Sequence, residues 1–249
     1  MTADDLGPGS SIDEWRPLLE SGILRLGLVL DVPQVDSLLA FADLLLRWGR
    51  TYNLTAVRAP RDVVTHHLLD CLAVVPAIQR EFVRTRGRRV LDVGSGAGLP
   101  GLVIAVADPT AEVVCIDSVG KKTAFVGQAV ANLGLRNVES LQGRVESADL
   151  AGFDVIISRA FSSLPEFVRV TERLLHAEGV WIAMKGRVPS DEIAEMPTTW
   201  AIHAERLLVP EVEGQRCLVR IKRTPDIPTC ERTHSPQPPM VLARNKNPE

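Results

Sequence analysis

The stretch VLDVGSGAGLPG, residues 90–101, carries the strongest indication of how this chain folds. An apolar run that ends in Asp92 and a valine is followed by four glycines and one proline. Glycines let the backbone turn sharply and approach a ligand closely, because no Cβ atom stands in the way. Pro100 suits the first turn of a following helix. The stretch therefore predicts a strand, a ligand-binding loop and a helix, in that order.

Short apolar runs alternate with helical stretches from Arg88 onward, which is typical of a parallel sheet with helices on both faces. The predicted strands are RRVLDV, AEVVCID, NVESLQG, FDVIIS and GVWIAMK, separated by the helices LPGLVIAVA, KKTAFVGQAVANLGL and LPEFVRVTERLLHA. Two later runs, WAIHAERLLV and QRCLVRIKR, are joined by PEVEG without a helix, so we expect them to pair antiparallel. The predicted fold class is α/β: a mostly parallel, Rossmann-like sheet that ends in an antiparallel hairpin.

Three helices are predicted before the first strand from the helical spacing of apolar residues. They span residues 12–30, 32–50 and 61–78. We divide the chain into an N-terminal helical segment packed on the core, a Rossmann-like domain and a Pro-rich tail that is expected to be disordered. These three parts cover residues 1–80, 81–224 and 225–249.

The composition is that of an ordinary globular protein, since 45% of the 249 residues are hydrophobic and 24% are charged. No run of about 18 apolar residues predicts a transmembrane helix, and the acidic N-terminus lacks the pattern of an export signal. The four cysteines are widely separated and lack the spacing of metal ligands. We therefore expect reduced thiols, no metal site and a cytoplasmic protein.

Basic residues are unevenly distributed along the chain. The net charge of −3 argues against broad attraction to nucleic acid. However, RTRGRR (residues 84–89) and RCLVRIKR (residues 216–223) are basic blocks without an acid. Such blocks could bind a polyanion on one face of the protein. Surface charge that maintains solubility explains them equally well.

Two kinds of cofactor are compatible with the glycine loop. Gly96, Gly98 and Gly101 match the GxGxxG pattern of dinucleotide-binding loops, and Asp117 follows where a ribose-binding acid belongs. The spacing of the glycines after the strand disagrees with that pattern. A dinucleotide-binding triplet starts directly at the end of the strand, and counted from Gly94 its third glycine is Gly98, one residue too early. Asp92 would also repel a diphosphate, whereas it would attract a cation. S-adenosylmethionine carries a sulfonium and an ammonium group, so the loop favours that cofactor.

The stretch VLDVGSGAGLPG resembles motif I of class I S-adenosylmethionine-dependent methyltransferases. From about Arg47 to Arg223 the chain resembles the RsmG (GidB) family, through RWGRTYNLTAV, THHLLDCLAV, IDSVGKKTAFV, QGRVES, ISRAFSSLPEF, AMKG and GQRCLVRIK. Enzymes of that family methylate N7 of a guanine in the 530 loop of bacterial 16S ribosomal RNA. The resemblance implies a class I methyltransferase fold and S-adenosylmethionine as cofactor. The expected partner is 16S rRNA or the small ribosomal subunit. We expect a monomer that does not bind a membrane.

Cofactor-binding residues are expected where the strands end. Asp117 ends the second strand, where its carboxylate can accept both ribose hydroxyls of an adenosine; capping of the helix near Gly120 is the alternative. The resemblance implies backbone contacts to the adenine at Val145 and Glu146, and a solvated surface acid is the alternative for the latter. The complete predicted set is Asp92, Gly94, Gly96, Gly98, Leu99, Asp117, Val145, Glu146 and Arg159.

Arg159 ends the fourth strand, from which many methyltransferases present a catalytic motif. No Asn-Pro-Pro-Tyr follows and no cysteine lies in a Pro-Cys setting, which disfavours methylation of an exocyclic amine or a pyrimidine carbon. The guanidinium fork suits a guanine or a phosphate, and a salt bridge to Asp154 or Glu166 is the alternative. Guanine N7 carries no proton, so no general base is expected. The resemblance adds His67 and Asn53 to Arg159 as substrate-positioning residues.

Basic residues at the predicted carboxyl edge of the sheet form the expected RNA-binding surface. They are Lys121, Lys122, Arg144, Lys185 and Arg216. Each one alone is more typical of a solvated surface charge. The chain departs from the family where Lys122 replaces a frequent arginine and where Cys217 replaces a common histidine, which puts the neighbouring contacts in doubt.

Two other functions remain open alternatives at this level. The formal GxGxxG match keeps an NAD-dependent oxidoreductase possible, and tight binding of NADH without binding of S-adenosylhomocysteine would establish it. The basic residues keep a non-catalytic RNA-binding module possible, and RNA binding without any cofactor affinity would establish that function.

Overall fold

A sheet lies at the centre of the computed structural model, which describes residues 12–52, 54–57, 59–150 and 152–224. Its strands are β1 (Arg89–Val93), β2 (Glu112–Asp117), β3 (Val138–Gln142), β4 (Phe153–Ser158), β5 (Leu175–Lys185), β6 (Trp200–Arg206) and β7 (Cys217–Arg223). In space they follow the order β3-β2-β1-β4-β5-β7-β6. Strands β1 to β5 are parallel, and β7 is antiparallel to both β5 and β6. The predicted α/β class and its closing antiparallel hairpin are confirmed.

Helices precede the sheet and connect its strands. Before β1, in chain order, lie a 3-10 turn (Ile12–Trp15), α1 (Arg16–Arg25), α2 (Val32–Tyr52), α3 (Pro60–Val63), a π-helical segment (Val64–Leu69), α4 (Asp70–Leu72) and α5 (Val75–Thr85). After β1 follow α6 (Gly101–Ala107), α7 (Gly120–Leu133), α8 (Leu164–Thr171) and α9 (Ser190–Ala194). Within the described ranges, none of these helices is both long and apolar enough to span a membrane.

Neighbouring residues of β1 face two different apolar clusters, one on each side of the sheet. Val90 belongs to the cluster that includes Leu38 of α2 and Leu68 of the π-helical segment. Leu91 belongs to the other cluster, together with Phe167 of α8. Because both faces of the sheet are covered, its central strands are apolar throughout rather than alternating. The helices before β1 thus share a core with one face of the sheet.

The prediction of one continuous helix over residues 61–78 is wrong. Its middle is π-helical, and α4 ends at Leu72, before a new helix starts at Val75. Pro76 lies in the first turn of α5 and not near a helix end. A proline is tolerated there because the first backbone N–H groups of a helix have no intrahelical acceptor. Apolar spacing alone does not reveal such a break, since buried apolar residues of both pieces belong to one cluster.

Two other predicted helices end earlier than their apolar patterns. The helix predicted for residues 164–177 ends at Thr171, and a 3-10 turn leads into β5 at Leu175. Leu175 pairs with Phe153 of β4, so the sheet takes the residues that helical spacing assigned to the helix. The helix predicted for residues 12–30 ends at Arg25, where Gly27 closes it with a left-handed φ of 69°. The predicted disordered tail lies outside the described residues.

Candidate active site

Two clefts open at the carboxyl edge of the sheet. The first has a volume of about 320 Å³ and is lined by Val93, Gly94, Ile116, Asp117, Ser118, Val119, Lys122, Gly143, Arg144, Val145, Glu146, Ala160 and Phe161. The second has a volume of about 370 Å³ and is lined by Val57, His66, His67, Asp70, Arg159, Met184, Lys185, Gly186, Leu207, Arg216 and Cys217. Arg159 faces the second cleft, while Ala160 and Phe161 face the first. The chain that leaves β4 is therefore a wall shared by both clefts.

The glycine loop between β1 and α6 requires its glycines for different reasons. Gly94, Gly96 and Gly98 all have left-handed φ angles, of 66°, 58° and 80°. A Cβ atom at Gly94 would meet nothing within 4 Å, because this residue borders the open first cleft. A Cβ atom at Gly98 would lie 2.6 Å from Cδ1 of Leu102, a buried residue of α6. Gly94 thus permits a ligand to approach, whereas Gly98 permits the loop to pack on its own helix.

Asp117, at the end of β2, ties the glycine loop to the next loop of the sheet. Its Oδ2 accepts a hydrogen bond from the backbone N–H of Gly96 at 3.0 Å. Its Oδ1 accepts one from the backbone N–H of Val119, the N-cap residue of α7, at 2.9 Å. Lys122 Nζ lies 3.5 Å from Oδ2. A carboxylate offers about four acceptor positions, so Asp117 retains capacity for further hydrogen bonds in the first cleft.

Asp92 lies beneath the glycine loop and does not line either cleft. Its Oδ2 accepts a hydrogen bond from the backbone N–H of Gly101 at 2.8 Å, and its buried Oδ1 has no partner among the described residues. Complete burial raises the pKa of this carboxyl from 3.8 to about 7, against the opposing effects of the Gly101 hydrogen bond and of Arg159. The nearby charge of Asp117 raises the pKa further. Asp92 therefore shapes the loop from below.

A 3-10 turn after β3 (Val145–Ser147) forms the far wall of the first cleft. Val145 is buried and Glu146 is exposed, and both line the cleft. Arg173 donates hydrogen bonds to three carbonyl oxygens of this turn, those of Val145 at 3.1 Å, Glu146 at 3.2 Å and Ala148 at 2.6 Å. One guanidinium thus holds the backbone that was predicted to contact an adenine.

The second cleft is built around the buried carboxylate of Asp70. Its Oδ1 lies 2.9 Å from Nε of Arg216, and its Oδ2 lies 3.5 Å from a guanidinium nitrogen of Arg159. The predicted alternative partners of Arg159 are wrong. Asp154 instead accepts a hydrogen bond from the backbone of β1, and Glu166 pairs with an arginine one turn along α8. Asp70 therefore joins two arginines, one directly after β4 and one in the loop before β7.

His67, in the π-helical segment, lies buried next to Arg159. Its Nε2 is 2.6 Å from the hydroxyl of Thr55, and its Nδ1 is 3.0 Å from the carbonyl oxygen of His66. The tautomer with the proton on Nδ1 satisfies both contacts, with the hydroxyl as donor to Nε2. Burial, and then the charge of Arg159, lower the pKa of His67 from 6.5 to about 4. His67 is therefore neutral at pH 7. Asn53, the other substrate-positioning residue that the resemblance implies, is outside the described residues.

Comparison with known proteins assigns the chain to a family. A family model described as rRNA small subunit methyltransferase G matches residues 34–219. A relative from Ralstonia nicotianae is 49% identical over 214 residues, which cover 84% of this chain and 96% of that protein. Another from Methylibium petroleiphilum is 48% identical and covers 82% and 93%. Both are named ribosomal RNA small subunit methyltransferase G.

The chain belongs to the rRNA small subunit methyltransferase G family. It is a class I methyltransferase, and its methyl donor is S-adenosylmethionine. The sheet order with a final antiparallel strand agrees with this class. The NAD-dependent oxidoreductase and the non-catalytic RNA-binding module are thereby set aside.

The first cleft of this methyltransferase fits the adenosine part of its cofactor. Ile116 and Val119 provide apolar surface for a purine, and Asp117 provides a carboxylate at the end of β2 for two vicinal hydroxyls. The absence of a Cβ atom at Gly94 leaves room for close contact with the backbone. Of the other predicted cofactor residues, Val145 and Glu146 also line this cleft. Those that do not line it are Asp92, Gly96, Gly98, Leu99 and Arg159.

The five predicted RNA-binding residues are distributed over both clefts. Lys122 and Arg144 border the first cleft, and Lys121 is exposed nearby at the start of α7. Lys185 and Arg216 line the second cleft, where each is bound to an acid, Lys185 to Glu192 at 2.9 Å and Arg216 to Asp70. The structure therefore assigns two of these cations to the architecture of the second cleft.

The basic block at residues 84–89 lies at the amino ends of the strands, opposite both clefts. Three of its four arginines, Arg84, Arg88 and Arg89, have acidic partners in Glu81, Asp108 and Glu112, with separations of 2.7 Å, 3.3 Å and 3.6 Å. Paired charges attract a polyanion weakly. The explanation as surface charge thus fits this block better than nucleic-acid binding.

Sequence reasoning missed three residues that shape the two clefts. Asp70 lines the second cleft, Thr55 contacts His67 behind it, and Arg173 holds the turn that borders the first. Only Asp70 left a usable signal, since it is an acid within the otherwise apolar run LLDCLAVV, residues 68–75. Buried acids are rare unless they are paired, so such a position predicts a cationic partner elsewhere in the chain.

Proposed function

We propose that this chain transfers the methyl group of S-adenosylmethionine to N7 of a guanine in the 530 loop of 16S rRNA. The family description and the names of the relatives support small-subunit rRNA as the substrate. Resemblance of the site residues to the RsmG family supports the guanine and its N7 atom. We propose that the reaction takes place in the cytoplasm and that the enzyme is a monomer.

The observation that carries the choice of atom is the chemistry of the second cleft. His67 is neutral and both its ring nitrogens have partners, and Asp70 is bound to two arginines. Neither side chain is free to accept a proton from a substrate. A ring nitrogen such as N7 has a lone pair and no proton, so its methylation requires no general base. His67 and Asp70, two buried titratable side chains of this cleft, are thus suited to position a base rather than to deprotonate it.

In this arrangement the cofactor occupies the first cleft and the guanine occupies the second. When bound in the first cleft, S-adenosylmethionine would supply an electrophilic methyl group, and Asp117, Val145 and Glu146 are the residues that would hold it there. The guanidinium of Arg159 has donors left over from its contact with Asp70, and these can hold O6 of the guanine. Such a fixed orientation of the base would provide most of the rate acceleration.

Both predicted parts of the chain contribute to the guanine site. The helical segment (residues 1–80) supplies His67 and Asp70, and the Rossmann-like domain (residues 81–224) supplies Arg159 and Arg216. We propose that the helical segment serves as the substrate-side wall of the methyltransferase domain.

Methyl transfer to RNA tests the proposal directly. Purified protein is incubated with labelled S-adenosylmethionine and small ribosomal subunits from bacteria that lack this enzyme, and the position of N7-methylguanine is mapped by chemical cleavage of the RNA. We expect one labelled guanine in the 530 loop. Arg159→Ala should lower kcat/KM roughly 10- to 100-fold, the value of a good contact to guanine. Arg169→Ala, which removes an exposed arginine of α8, is the matched control and should have no effect.

Two results would contradict the proposal. The substrate is wrong if the protein methylates proteins or small molecules but never RNA. The target atom is wrong if the label is found on an exocyclic amine or on a carbon atom of the RNA.

A further inference from the structure

The loop between β6 and β7, residues 207–216, is attached to two helices through Glu211. One of its carboxylate oxygens lies 2.8 Å from a guanidinium nitrogen of Arg25, at the end of α1. The other lies 3.2 Å from a guanidinium nitrogen of Arg61, in α3. The arginine side chains are 57% and 52% exposed, and that of Glu211 is 35% exposed. Two arginines from separate helices thus converge on one accessible anion.

This ion-pair cluster lies in a groove that shares the lining residue His66 with the second cleft. The groove has a volume of about 580 Å³, and its lining includes Arg25, Arg61, His66, Glu211 and Glu213. His66 also lines the second cleft. A strand of RNA whose guanine enters the second cleft would therefore meet the arginine pair next.

The backbone at Glu211 is strained. Its φ angle of 65° is left-handed, and among the described residues only one other non-glycine residue, Arg86, shares this region. Such conformations persist only where surrounding contacts maintain them. In this conformation the carboxylate of Glu211 pairs with Arg25 and Arg61. These two ion pairs are contacts that can maintain the strained backbone. Removal of the carboxylate from the arginines would allow the loop to relax.

We propose that Arg25 and Arg61 bind a backbone phosphate next to the target guanine, and that Glu211 occupies the phosphate position until RNA displaces it. This inference rests on the proposed function, because it places the RNA strand beside the guanine cleft. Guanidinium forks bind carboxylate and phosphate with the same geometry. Phosphate contacts fix the register of a nucleic acid on a protein without reading its sequence. The arginine pair therefore sets the position of the RNA strand, and Glu211 competes with the RNA phosphate for the two arginines.

Glu211→Gln tests the competition, with Glu213→Gln as its matched control. Both variants remove one negative charge from the same loop and the same groove, but Glu213 makes no ion pair within the described residues. We measure the KM for small subunits that lack the methyl group, and the Kd of a labelled hairpin RNA that carries the 530 loop. Glu211→Gln should lower both constants roughly fivefold, the value of one or two exposed ion pairs. Glu213→Gln should change them much less, and kcat should stay constant in both.

The double variant Arg25→Ala/Arg61→Ala tests the phosphate site. Binding of the hairpin RNA is measured over a range of KCl concentrations. The slope of log Kd against log salt should fall by about 0.7 for each phosphate that the variant no longer neutralises. Arg80→Ala, which removes an exposed arginine of α5, should leave the slope unchanged. S-adenosylhomocysteine should bind all variants with the wild-type affinity, which shows that they are folded.

Failure of this inference differs from failure of the proposed function. If wild-type protein methylates the small subunits but Glu211→Gln and Glu213→Gln have equal RNA affinities, the competition is wrong. If the double arginine variant keeps the wild-type salt slope, the phosphate site is wrong. If wild-type protein transfers no methyl group to RNA, the proposed function itself is wrong, and the salt slopes still decide whether the arginines bind RNA.

Discussion

Asp70 illustrates how much one buried side chain decides in this protein. Its carboxylate orients two arginines that are distant in sequence, one of them 146 residues away. With asparagine in its place, both guanidinium groups would remain half-buried without a counter-charge. Their positions around the target base would then be less well defined.

We expect Asp70→Asn to lower kcat at least tenfold and the free energy of unfolding by about 2 kcal/mol. The affinity for S-adenosylhomocysteine should not change, because Asp70 lies in the other cleft. Asp43→Asn is the control, since it breaks an exposed ion pair with Arg47 and should cost less than about 1 kcal/mol. Calorimetry, steady-state kinetics and urea unfolding of both variants test this. An equal loss of stability in the two would contradict the assigned role.

Asp92 and His67 have opposite effects on the pH dependence of stability. The folded pKa of Asp92, about 7, lies above its ordinary 3.8, so the folded state holds a proton that the unfolded state has lost. Its contribution to stability is therefore present below pH 4 and disappears as the pH rises to 7. The folded pKa of His67, about 4, lies below its ordinary 6.5, so its contribution disappears as the pH falls from 6.5 towards 4.

Asp92→Asn should expose the effect of His67 alone. Relative to wild type, this variant should gain stability between pH 4 and pH 8, by about 4 kcal/mol at most. Urea unfolding of both proteins at pH 4.5, 6 and 8 measures the difference. A constant difference over this range would show that Asp92 does not change its protonation state.

The glycine loop shows, at the level of an element, that residues of one motif have separate tasks. Gly94→Ala should lower the affinity for S-adenosylhomocysteine at least tenfold, since its Cβ would enter the first cleft, while its left-handed backbone costs about 1–2 kcal/mol of stability. Gly98→Ala should cost about 3–4 kcal/mol, because strain and the clash with Leu102 add together.

Gly127→Ala is the control for both loop variants. Gly127 lies on the exposed side of α7, and a Cβ there meets nothing within 4 Å. Alanine should stabilise this helix by up to about 1 kcal/mol. Thermal unfolding with and without S-adenosylhomocysteine separates the effects. Equal affinities of the two loop variants would contradict the division of tasks.

The π-helical segment is an element that the sequence does not reveal. Apolar spacing in residues 61–78 predicts an ordinary helix, and the segment indeed buries an apolar face. The wider turn is decided by tertiary contacts, among them those of His67 with Thr55 and Arg159. Helical periodicity carries no information on such partners.

Across the whole molecule, two clusters of a buried acid with cations have different purposes. Asp70 lies in the second cleft, whereas Glu81 of α5 joins Lys222 at 2.9 Å and Arg84 at 2.7 Å. Arg220 of β7 lies 3.7 Å from the same carboxylate. The second cluster fastens α5 to the closing hairpin of the sheet. Its residues line neither of the two clefts.

We expect Glu81→Gln to lower the free energy of unfolding by about 2 kcal/mol without a change in kcat/KM. Burial raises the pKa of Glu81, but hydrogen bonds from Lys222 and Arg84 outweigh it and hold the pKa below 4.5. Its contribution is thus present above pH 4.5 and is lost as the pH falls through the folded pKa. Glu178→Gln, at the exposed end of the same cluster, should cost almost nothing. A loss of activity in Glu81→Gln at full folding would contradict a purely structural role.

Local patterns in the sequence were enough to predict the order of strands and helices along the chain, the place of the glycine loop and the position of Asp117 at the end of β2. Each depends on the chemistry of neighbouring residues: apolar runs, missing Cβ atoms and an acid at the end of a strand. Asp92 was correctly placed near the loop, but its position beneath the loop rather than in the cleft follows from packing. The predicted roles of Val145, His67 and Asn53 came from resemblance to a family, whereas Arg159 was also indicated by its place at the end of a predicted strand.

The amino-acid sequence was sufficient for the fold class, the place of the cofactor loop and the family of this chain. Only the folded chain shows that Arg159 and Arg216 meet Asp70, that Lys185 meets Glu192, and that the clefts share the wall after β4. The difference comes from the range of the interactions. Secondary structure and turns follow from interactions between near neighbours, whereas a buried charge takes whichever partner the folded chain brings within a few ångströms.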